Sequence, residues 1–407
     1  MPRPAPFSWL LVGGLLLPHP APALTNPGEV GEQAWAFRNE WVRNPSLNRL
    51  FKATVYYPGV SQGQAQDLDL DGTPYASVVF GHGFSMNRSR YDFYGQHLAT
   101  HGYVVVLMNF KDLFTQNQVS DMRACLDWLE DQNADPSSWL SGALDIDMMG
   151  VSGHSMGGGV SLAATAVDPR IDACVPLAPV VETAALEAAL APTILLGGDR
   201  DGIIPLKDMR DPWLAAAIPP TEFITIWGAN HNQFMDVSYF WEDLLDGVPT
   251  ITRSEQQRIA NFYSTAAYGY YLKGIGAYRS YLFGNRGAAD VTVRLEYESG
   301  ETIDLVAHPD TASVPLGGSI TVHAEIREGL GESRRISART VGRRDGVSLI
   351  DPLLGPIQVT LDAGATRNLD WDQEVPPRVP VGNYDYAVIV TDGEMEIEDS
   401  FAVTVHP

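Results

Sequence analysis

Two different patterns of hydrophobic and polar residues divide this chain near residue 283. Before that point, short apolar runs of strand length alternate with longer runs of helical character. Because strands that alternate with helices form parallel sheets covered by helices, this part predicts an α/β fold, with a mostly parallel sheet and helices on both faces. The predicted strands include Ser77–Phe80, Asp145–Val151, Pro192–Gly197 and Glu222–Trp227.

The rest of the chain consists of short segments that alternate with period two between Gly- and Pro-rich turns. This pattern predicts an all-β sandwich similar to immunoglobulin and fibronectin III domains. At 407 residues the chain is too long for one compact core. We therefore expect an α/β domain over residues 24–289 and a β-sandwich over residues 290–407, which either binds a surface or adds stability. The alternating segments are Val291–Tyr297, Ser319–Ile326, Tyr384–Val390 and Ser400–Val405.

The sequence Gly153-His-Ser-Met-Gly157 stands between a predicted strand and a predicted helix, Gly157–Val167. A sharp strand-to-helix turn strains its central residue, and side chains at the flanking glycines would collide across it. Such a turn raises the Ser155 hydroxyl above the sheet edge, beside free N–H groups of the helix. This context predicts that Ser155 is a nucleophile. The alternative is a glycine-rich turn whose serine only caps the helix.

A nucleophilic serine needs a general base, and that base needs an orienting acid. Four histidines follow Ser155, and His231 is the one that comes directly after a predicted strand of the α/β part. Loops at the carboxyl ends of such strands carry sites of this kind, so His231 is the predicted base. The other three, in the β region, are His308, His323 and His406.

The acid is expected in the loop Gly198–Gly202, which follows the strand before that of the base. Two aspartates compete there. Asp201 lies four residues before Pro205, in a turn-rich segment that can aim it back across the sheet. We therefore prefer Asp201. Asp199 is expected to be a solvated carboxylate or a partner of Arg200.

Two backbone N–H groups are expected to stabilise an oxyanion. Met156 supplies one, because it begins the helix after Ser155. Phe84 supplies the other, because it ends the glycine-containing loop Gly81-His-Gly-Phe84, where small residues allow close approach. His82 precedes Ser155, the wrong chain order for a base, and is expected to be structural.

These motifs resemble bacterial cutinase-like polyester hydrolases and, around His82–Phe84 and Tyr91, the platelet-activating-factor acetylhydrolase, chlorophyllase and dienelactone hydrolase groups. All are α/β hydrolases, and the resemblance covers roughly residues 48 to 285. It implies the α/β-hydrolase fold, with Ser155, Asp201 and His231 as nucleophile, acid and base. It also implies Phe84 and Met156 as oxyanion donors, and it favours Asp201, because the family's acid stands four residues before a proline.

The chain departs from these families at three places. The segment Pro176–Val181 lacks the tryptophan that polyester hydrolases commonly carry after this strand. Their C-terminal cysteine pair is absent, since the chain has only Cys125 and Cys174. Dienelactone hydrolase would have a cysteine where this chain has Ser155. The resemblance therefore implies serine ester hydrolysis without naming the ester.

The N-terminus predicts export. Residues 1–23 combine Arg3, an apolar run over Phe7–Leu17 and an Ala21-Pro-Ala23 motif, which is typical of a cleaved signal peptide. The alternative is an uncleaved anchor, although the run is too short to span a membrane and no later stretch is long enough. We therefore expect a secreted or periplasmic protein.

Composition narrows the partners and cofactors. The net charge of −23, with four lysines, argues against nucleic acid and anionic membranes as partners. The run Asp67-Leu-Asp69-Leu-Asp71-Gly72 begins like a calcium loop, but Val78 at its twelfth position cannot close it, so a solvated acidic loop is preferred. We expect no metal and no organic cofactor. Oligomeric state, and pairing of Cys125 with Cys174, are left open.

The sequence thus predicts a secreted serine hydrolase that cleaves small or polymeric carboxylic esters through an acyl-enzyme intermediate. One alternative is a polyesterase or lipase for insoluble substrate, with the β domain as surface binder. Another is a non-catalytic binding protein with a relic hydrolase fold. The complete set of Ser155, Asp201 and His231 argues against the relic.

Overall fold

A ten-stranded mixed sheet forms the centre of the larger part of the protein in this computed structural model. The structure describes residues 26–113, 115–217, 221–282, 295–299, 303–328, 333–344, 347–362, 365–392 and 395–407. The predicted signal peptide, residues 1–23, and the predicted boundary at residues 289–290 lie outside these residues. The strands of the sheet are β1 (Ala34–Asn44), β2 (Arg49–Gly59), β3 (Gly63–Gln64), β4 (Tyr75–Gly81), β5 (Tyr103–Met108), β6 (Leu144–His154), β7 (Ile171–Leu177), β8 (Thr193–Gly198), β9 (Thr221–Ile226) and β10 (Leu295–Ser299).

These strands lie in the order β10-β9-β8-β7-β6-β4-β5-β2-β1-β3. Strands β4 to β9 pair in parallel, whereas β2 pairs antiparallel with β1 and β5, and β10 pairs antiparallel with β9. Chain order reverses at β4, which has β5 on one side and β6 on the other. In an open α/β sheet the crevice at such a reversal, at the carboxyl ends of the strands, is where ligands bind.

Helices cover this sheet on both faces. They are α1 (Asp92–Thr100), α2 (Thr115–Ala134), α3 (Met156–Thr165), α4 (Thr183–Glu187), α5 (Leu206–Ala216), α6 (Phe240–Asp243), α7 (Arg253–Tyr271) and α8 (Arg279–Leu282). A side chain on Gly150 would point at Tyr268 of α7, whereas one on Gly153 would point at Gly157 of α3. Positions 150 and 153 lie on opposite faces of β6, because side chains alternate along a strand. Helices α3 and α7 therefore sandwich the sheet.

The central strands explain why their sequences read as continuous apolar runs. Every residue of β4, β5, β8 and β9 is buried, as expected for parallel strands covered on both faces. Strand β1, near the edge, instead alternates between exposed and more buried positions over its second half, residues 39–44. The predicted α/β layers are thus present, and a mixed sheet of this order is consistent with the α/β-hydrolase fold.

The C-terminal part is rich in strands, as the period-two pattern predicts. A three-stranded sheet has the order β11-β13-β16, and a five-stranded sheet has the order β12-β18-β17-β14-β15. Inward residues of both sheets, such as Leu305, Val322 and Val388, join one buried cluster. The strands are β11 (Ile303–Pro309), β12 (Ser313–Pro315), β13 (Ser319–Glu328), β14 (Arg334–Arg344), β15 (Val347–Leu361), β16 (Thr366–Glu374), β17 (Gly382–Asp392) and β18 (Met395–His406).

One strand lies in a different sheet from the one the sequence indicates. The segment Val291–Tyr297 is predicted to open the β region, but β10 pairs with β9, from Leu295 opposite Ile226 to Ser299 opposite Glu222. Period-two alternation shows that a strand buries one face and does not show which sheet it joins. Strand β10 pairs with β9 because β9 would otherwise be an unpaired edge strand of the large sheet.

Three smaller expectations can be compared with the structure. Cys125 and Cys174 are both buried and carry free thiols. In the loop that begins like a calcium site, Asp69 accepts a hydrogen bond from the Asp71 N–H at 3.0 Å. Among the described residues, no group of three Asp, Glu, His or Cys side chains is placed to hold a metal ion. None of the described helices combines the length and the apolar character needed to cross a membrane.

We predict that β10 protects the edge of β9. A chain ending at residue 289 should melt at least about 2–4 °C below one ending at residue 300, because an unpaired edge loses backbone hydrogen bonds. It should also aggregate faster, since an exposed edge pairs with other chains. Thermal unfolding and light scattering of the two chains measure both effects. Equal melting temperatures would show that β10 adds nothing to the sheet.

Candidate active site

The residue at the end of β6 has the strained backbone that the sequence predicts. Ser155 has φ 56° and ψ −118°, a conformation that a residue with a side chain rarely adopts. Its N–H donates to the Leu177 carbonyl at 2.9 Å, and its carbonyl accepts from Val180 N–H at 3.1 Å. The last residue of β7 and the loop that follows it therefore hold the turn from both sides and keep the strain in place.

The two glycines of the motif allow the turn to pack. A Cβ on Gly153 would lie 2.3 Å from the backbone of Gly157, and one on Gly157 would lie 2.1 Å from the Gly81 carbonyl oxygen. Contacts below 3.0 Å essentially never occur for a real Cβ. Any side chain at either position would thus push α3 away from β6 or β4. The collision that the sequence predicts is therefore with the Gly157 backbone and with the Gly81 carbonyl oxygen.

The predicted oxyanion loop lies against this turn. Gly81 and Gly153 are direct partners in the β4–β6 pairing, so the two loops leave the sheet side by side. A side chain on Gly83 would meet Ser155 Cβ at 3.5 Å. In the described part of the chain, no acceptor is recorded for the N–H groups of Phe84 and Met156. Unpaired N–H groups beside a serine are what an oxyanion site needs.

The predicted base and acid are in contact. His231 Nδ1 lies 2.7 Å from Asp201 Oδ2, and both side chains are buried. The other carboxylate oxygen of Asp201 accepts from the N–H groups of Ile203 at 2.9 Å and Ile204 at 2.7 Å. These bonds fix the carboxylate, so His231 donates from Nδ1 and its Nε2 is left as an acceptor.

Asp199 serves the loop instead. One of its oxygens accepts from the Gly228 N–H, and the other lies 3.3 Å from Arg200 Nε. The contact with Arg200 is the one expected for the competing aspartate. The bond to Gly228, which could not be read from the sequence, ties the loop after β8 to the loop that carries His231.

A second histidine, His154, packs against the predicted base. The His154 ring centroid is 4.4 Å from that of His231, which places the base next to the serine turn. Burial, and secondarily the neighbouring His231, hold the pKa of His154 well below its ordinary value. His154 is therefore neutral, and it adds no positive charge that would oppose protonation of His231.

Tyr91 connects His154 to the oxyanion loop. The fully buried Tyr91 hydroxyl accepts from Gly83 N–H at 3.0 Å and lies 3.0 Å from His154 Nδ1. A neutral imidazole and a hydroxyl share one hydrogen in such a bond, so Tyr91 ties the His154 ring to the Gly83 backbone. Sequence reasoning missed Tyr91, because its distance in sequence from the motif gives no signal of this contact.

Two more side chains that the sequence does not single out brace the base. Gln256 of α7 donates to the Asn230 carbonyl at 2.7 Å and accepts from the Asn230 N–H at 3.1 Å. Asp246 accepts from Asn232 N–H at 2.8 Å and from Gly202 N–H at 2.9 Å. These bonds enclose His231 on both sides and connect its loop to that of Asp201.

The other histidines considered from the sequence are not part of the Ser155, Asp201 and His231 group. His82 is buried, accepts from Phe110 N–H at 3.0 Å through Nε2 and bonds the Gly83 carbonyl at 2.8 Å through Nδ1, so it shapes the loop as expected. His308 and His323 face each other across β11 and β13.

A cavity of about 380 Å³ opens at the opposite edge of the sheet, lined by Tyr75, Gly102 and Lys273 among others. Burial lowers the pKa of Lys273 to about 7. Its Nζ donates to the carbonyls of His101 and Gly102 at 2.8 and 2.9 Å, beyond the last turn of α1. Lys273 thus completes the C-terminus of a helix, a structural role.

A strained serine turn beside an Asp–His pair, on a sheet of this order, is the arrangement found in α/β hydrolases. Residues 50–238 match the PET hydrolase-like family. The chain is 27% identical over 237 residues to a bis(hydroxyethyl) terephthalate hydrolase of Streptomyces coelicolor, covering 54% of this chain and 72% of that protein. The resemblance to cutinase-like polyester hydrolases is confirmed.

Two cutinases are similar over shorter lengths. The chain is 26% identical over 162 residues to cutinase est1 of Thermobifida alba, covering 39% of this chain and 50% of the cutinase. It is 26% identical over 184 residues to cutinase cut1 of Thermobifida fusca, covering 44% of this chain and 53% of the cutinase. The chain thus spans about half the length of these two relatives.

The two aspartates are separable by mutation. Asp201→Asn should lower turnover on the order of 10⁴-fold, because an amide at this position favours the wrong tautomer of His231. Asp199→Asn keeps an oxygen for Gly228 and loses only an ion pair with the half-exposed Arg200, so it should cost less than about tenfold. Steady-state hydrolysis of a soluble ester measures both. A crippled Asp199→Asn beside an active Asp201→Asn would reverse the assignment.

Removing the Tyr91 hydroxyl should lower turnover by more than removing another buried tyrosine hydroxyl does. Tyr91→Phe frees Gly83 and should lower kcat about tenfold with little change in KM, less than the loss of a direct oxyanion donor. The matched control is Tyr94→Phe, since both rings are fully buried and pack on Phe80, at 4.9 and 4.8 Å. Both variants should lose stability. Equal kcat values for the two would assign Tyr91 a purely structural role.

Proposed function

We propose that this protein is a secreted or periplasmic serine hydrolase that cleaves carboxylic esters. The observation that carries the proposal is the strained Ser155 turn, with the buried Asp201–His231 pair 2.7 Å apart beside it. Neither feature favours a merely structural turn. Strain and buried charge both cost stability, and such features concentrate at functional sites.

In the proposed reaction, Ser155 attacks the ester carbonyl and His231 Nε2 takes the hydroxyl proton. Asp201 keeps the imidazole oriented and stabilises the imidazolium. The N–H groups of Phe84 and Met156 stabilise the oxyanion of the tetrahedral intermediate. His231 then protonates the departing alcohol, which leaves an acyl-enzyme. Water attacks that ester by the same steps in reverse order and releases the acid.

The proposed substrates are polyesters and their soluble ester fragments. This choice is supported by the printed names of the similar proteins, cutinases and a bis(hydroxyethyl) terephthalate hydrolase. It is also supported by the match of residues 50–238 to the PET hydrolase-like family, a range that includes Ser155, Asp201 and His231. No cofactor enters the proposed reaction.

We propose two further features of the whole chain. Residues 1–23 form a signal peptide, supported by their charged, apolar and small-residue regions. The C-terminal region forms an immunoglobulin-like sandwich, supported by two antiparallel sheets that share a core. All proposed catalytic residues precede it, so we assign it a supporting role and none in the chemical steps.

Ser155→Ala tests the proposal. It should lower turnover of p-nitrophenyl butyrate by a factor on the order of 10⁴–10⁶, because no other group supplies the nucleophile. The matched control is Ser161→Ala, a buried serine in α3 whose hydroxyl donates to the Gly158 carbonyl at 2.7 Å and accepts from Cys174 Sγ at 3.5 Å. The control should stay within about threefold of the wild type. A Ser155→Ala enzyme that retains more than about a tenth of the activity would refute the proposal.

A further inference from the structure

A short segment after the base exposes an unusual amount of apolar surface. Six large apolar side chains within ten residues are each between 48% and 81% exposed. Single exposed apolar residues are ordinary, but a run of them marks an interaction site. We call these residues the apolar segment: Tyr239, Phe240, Trp241, Leu244, Leu245 and Val248.

The polar residues of the same stretch turn inward. Arg90 Nη1 contacts both oxygens of Glu242, at 2.9 and 2.8 Å, and both side chains are mostly buried. Asp246 accepts hydrogen bonds from the N–H groups of Gly202 and Asn232. A surface helix normally does the reverse, with its apolar side inward. The stretch is thus held to the protein by its carboxylates, which leaves its apolar groups facing water.

Two of the exposed rings, those of Tyr239 and Trp241, are held in place by side-chain contacts. The Arg90 guanidinium lies 4.6 Å above the Tyr239 ring, and the Trp241 ring stacks on Tyr239 at 4.7 Å with an angle of 19°. The Glu242 carboxylate also accepts from the Tyr239 N–H at 2.7 Å. Ordering these side chains in advance lowers the entropy lost when a partner covers them.

The apolar segment is attached to the candidate active site. Asp246 connects it to Gly202, next to Asp201, and to Asn232, next to His231. The Gly247 carbonyl accepts from Asn230 Nδ2 at 2.9 Å. A partner that covers the segment is therefore brought next to the loops of the proposed acid and base.

The charge of this region restricts what the partner can be. Residues 236–250 contain no lysine or arginine, and the chain carries a net charge of −23. Anionic surfaces and nucleic acids are therefore repelled. An uncharged apolar surface meets no such penalty and removes apolar side chains from water.

We propose that the apolar segment adsorbs the enzyme onto the surface of a solid, uncharged polyester and brings the polymer chain to the active site. This deepens the proposed function and rests on it. Surface binding is thereby assigned to the α/β part of the protein, and the C-terminal strands are not required for it.

Adsorption of an inactive protein tests the proposal without catalysis. The parent is the full chain with Ser155→Ala, and the probe is a suspension of amorphous poly(ethylene terephthalate) nanoparticles. Adding Phe240→Ser, Trp241→Ser and Leu245→Ser should raise the half-saturation concentration about tenfold or more, since three large apolar contacts are lost. Binding of the parent should persist at 1 M salt, because the contact is not electrostatic.

The matched control removes three apolar side chains of similar exposure elsewhere. Val167, Leu190 and Leu214 are 52%, 65% and 58% exposed, and they lie beyond or near the last turns of α3 and α5. Helices that follow parallel strands run back against them, so these ends lie at the edge opposite the active site. Changing all three to serine should shift half-saturation by less than about twofold.

Several results would overturn the proposal. One is equal adsorption by the apolar-segment variant and the parent. Another is a parent that binds phosphatidylcholine vesicles through the segment but not the polyester, which would make the partner a lipid interface. A dimer in sedimentation that the variant dissociates would make it a second copy. If the triple variant fails to fold by circular dichroism, Phe240→Ser and Leu245→Ser singly supply the same comparison.

The outcome is independent of the proposed reaction. Loss of adsorption in the variant, together with no ester cleavage by the wild type, would refute the proposed function and support the apolar segment as an adsorption site. Cleavage of soluble esters by the wild type, together with unchanged adsorption in the variant, would refute the adsorption site and support the proposed function.

Discussion

The candidate site depends on one close backbone approach, between the serine turn and the loop after β4. Gly157 and the Gly81 carbonyl lie so near that a single Cβ cannot be inserted. That approach lets α3 begin directly above β6, holds Ser155 at φ 56° and sets Gly83 against its side chain. The strain at Ser155 persists because the buried carboxyl ends of β4, β6 and β7 over-determine the turn.

A second set of buried hydrogen bonds brings the base and acid to this turn. The loops after β8 and β9 are long enough to move, yet Asp199, Asp246 and Gln256 bond them to one another and to α7. Buried polar networks are favourable when every member is satisfied, and they then fix one arrangement. The same carboxylate that ties the loops, Asp246, also turns the apolar segment outward.

The sequence predicts those parts of the molecule that local chemistry determines. Glycines around Ser155, an apolar run before His231 and a turn after Asp201 each have a local physical cause, and the structure places all three residues at one edge of the sheet. Contacts between distant residues have no such signal. Tyr91 with His154, Gln256 with Asn230, and β10 with β9 depend on how the elements pack. The apolar segment is visible in the sequence, but its inward carboxylates are not.

A labelling experiment tests the central claim most directly. Diethyl p-nitrophenyl phosphate transfers its phosphoryl group to a serine that is activated by a neighbouring base and faces an oxyanion site. Mass spectrometry of the digested protein locates the added mass. The account predicts one label per chain, on Ser155, with loss of ester hydrolysis in proportion to labelling. A label on another residue, or full ester hydrolysis by a protein labelled at Ser155, would contradict it.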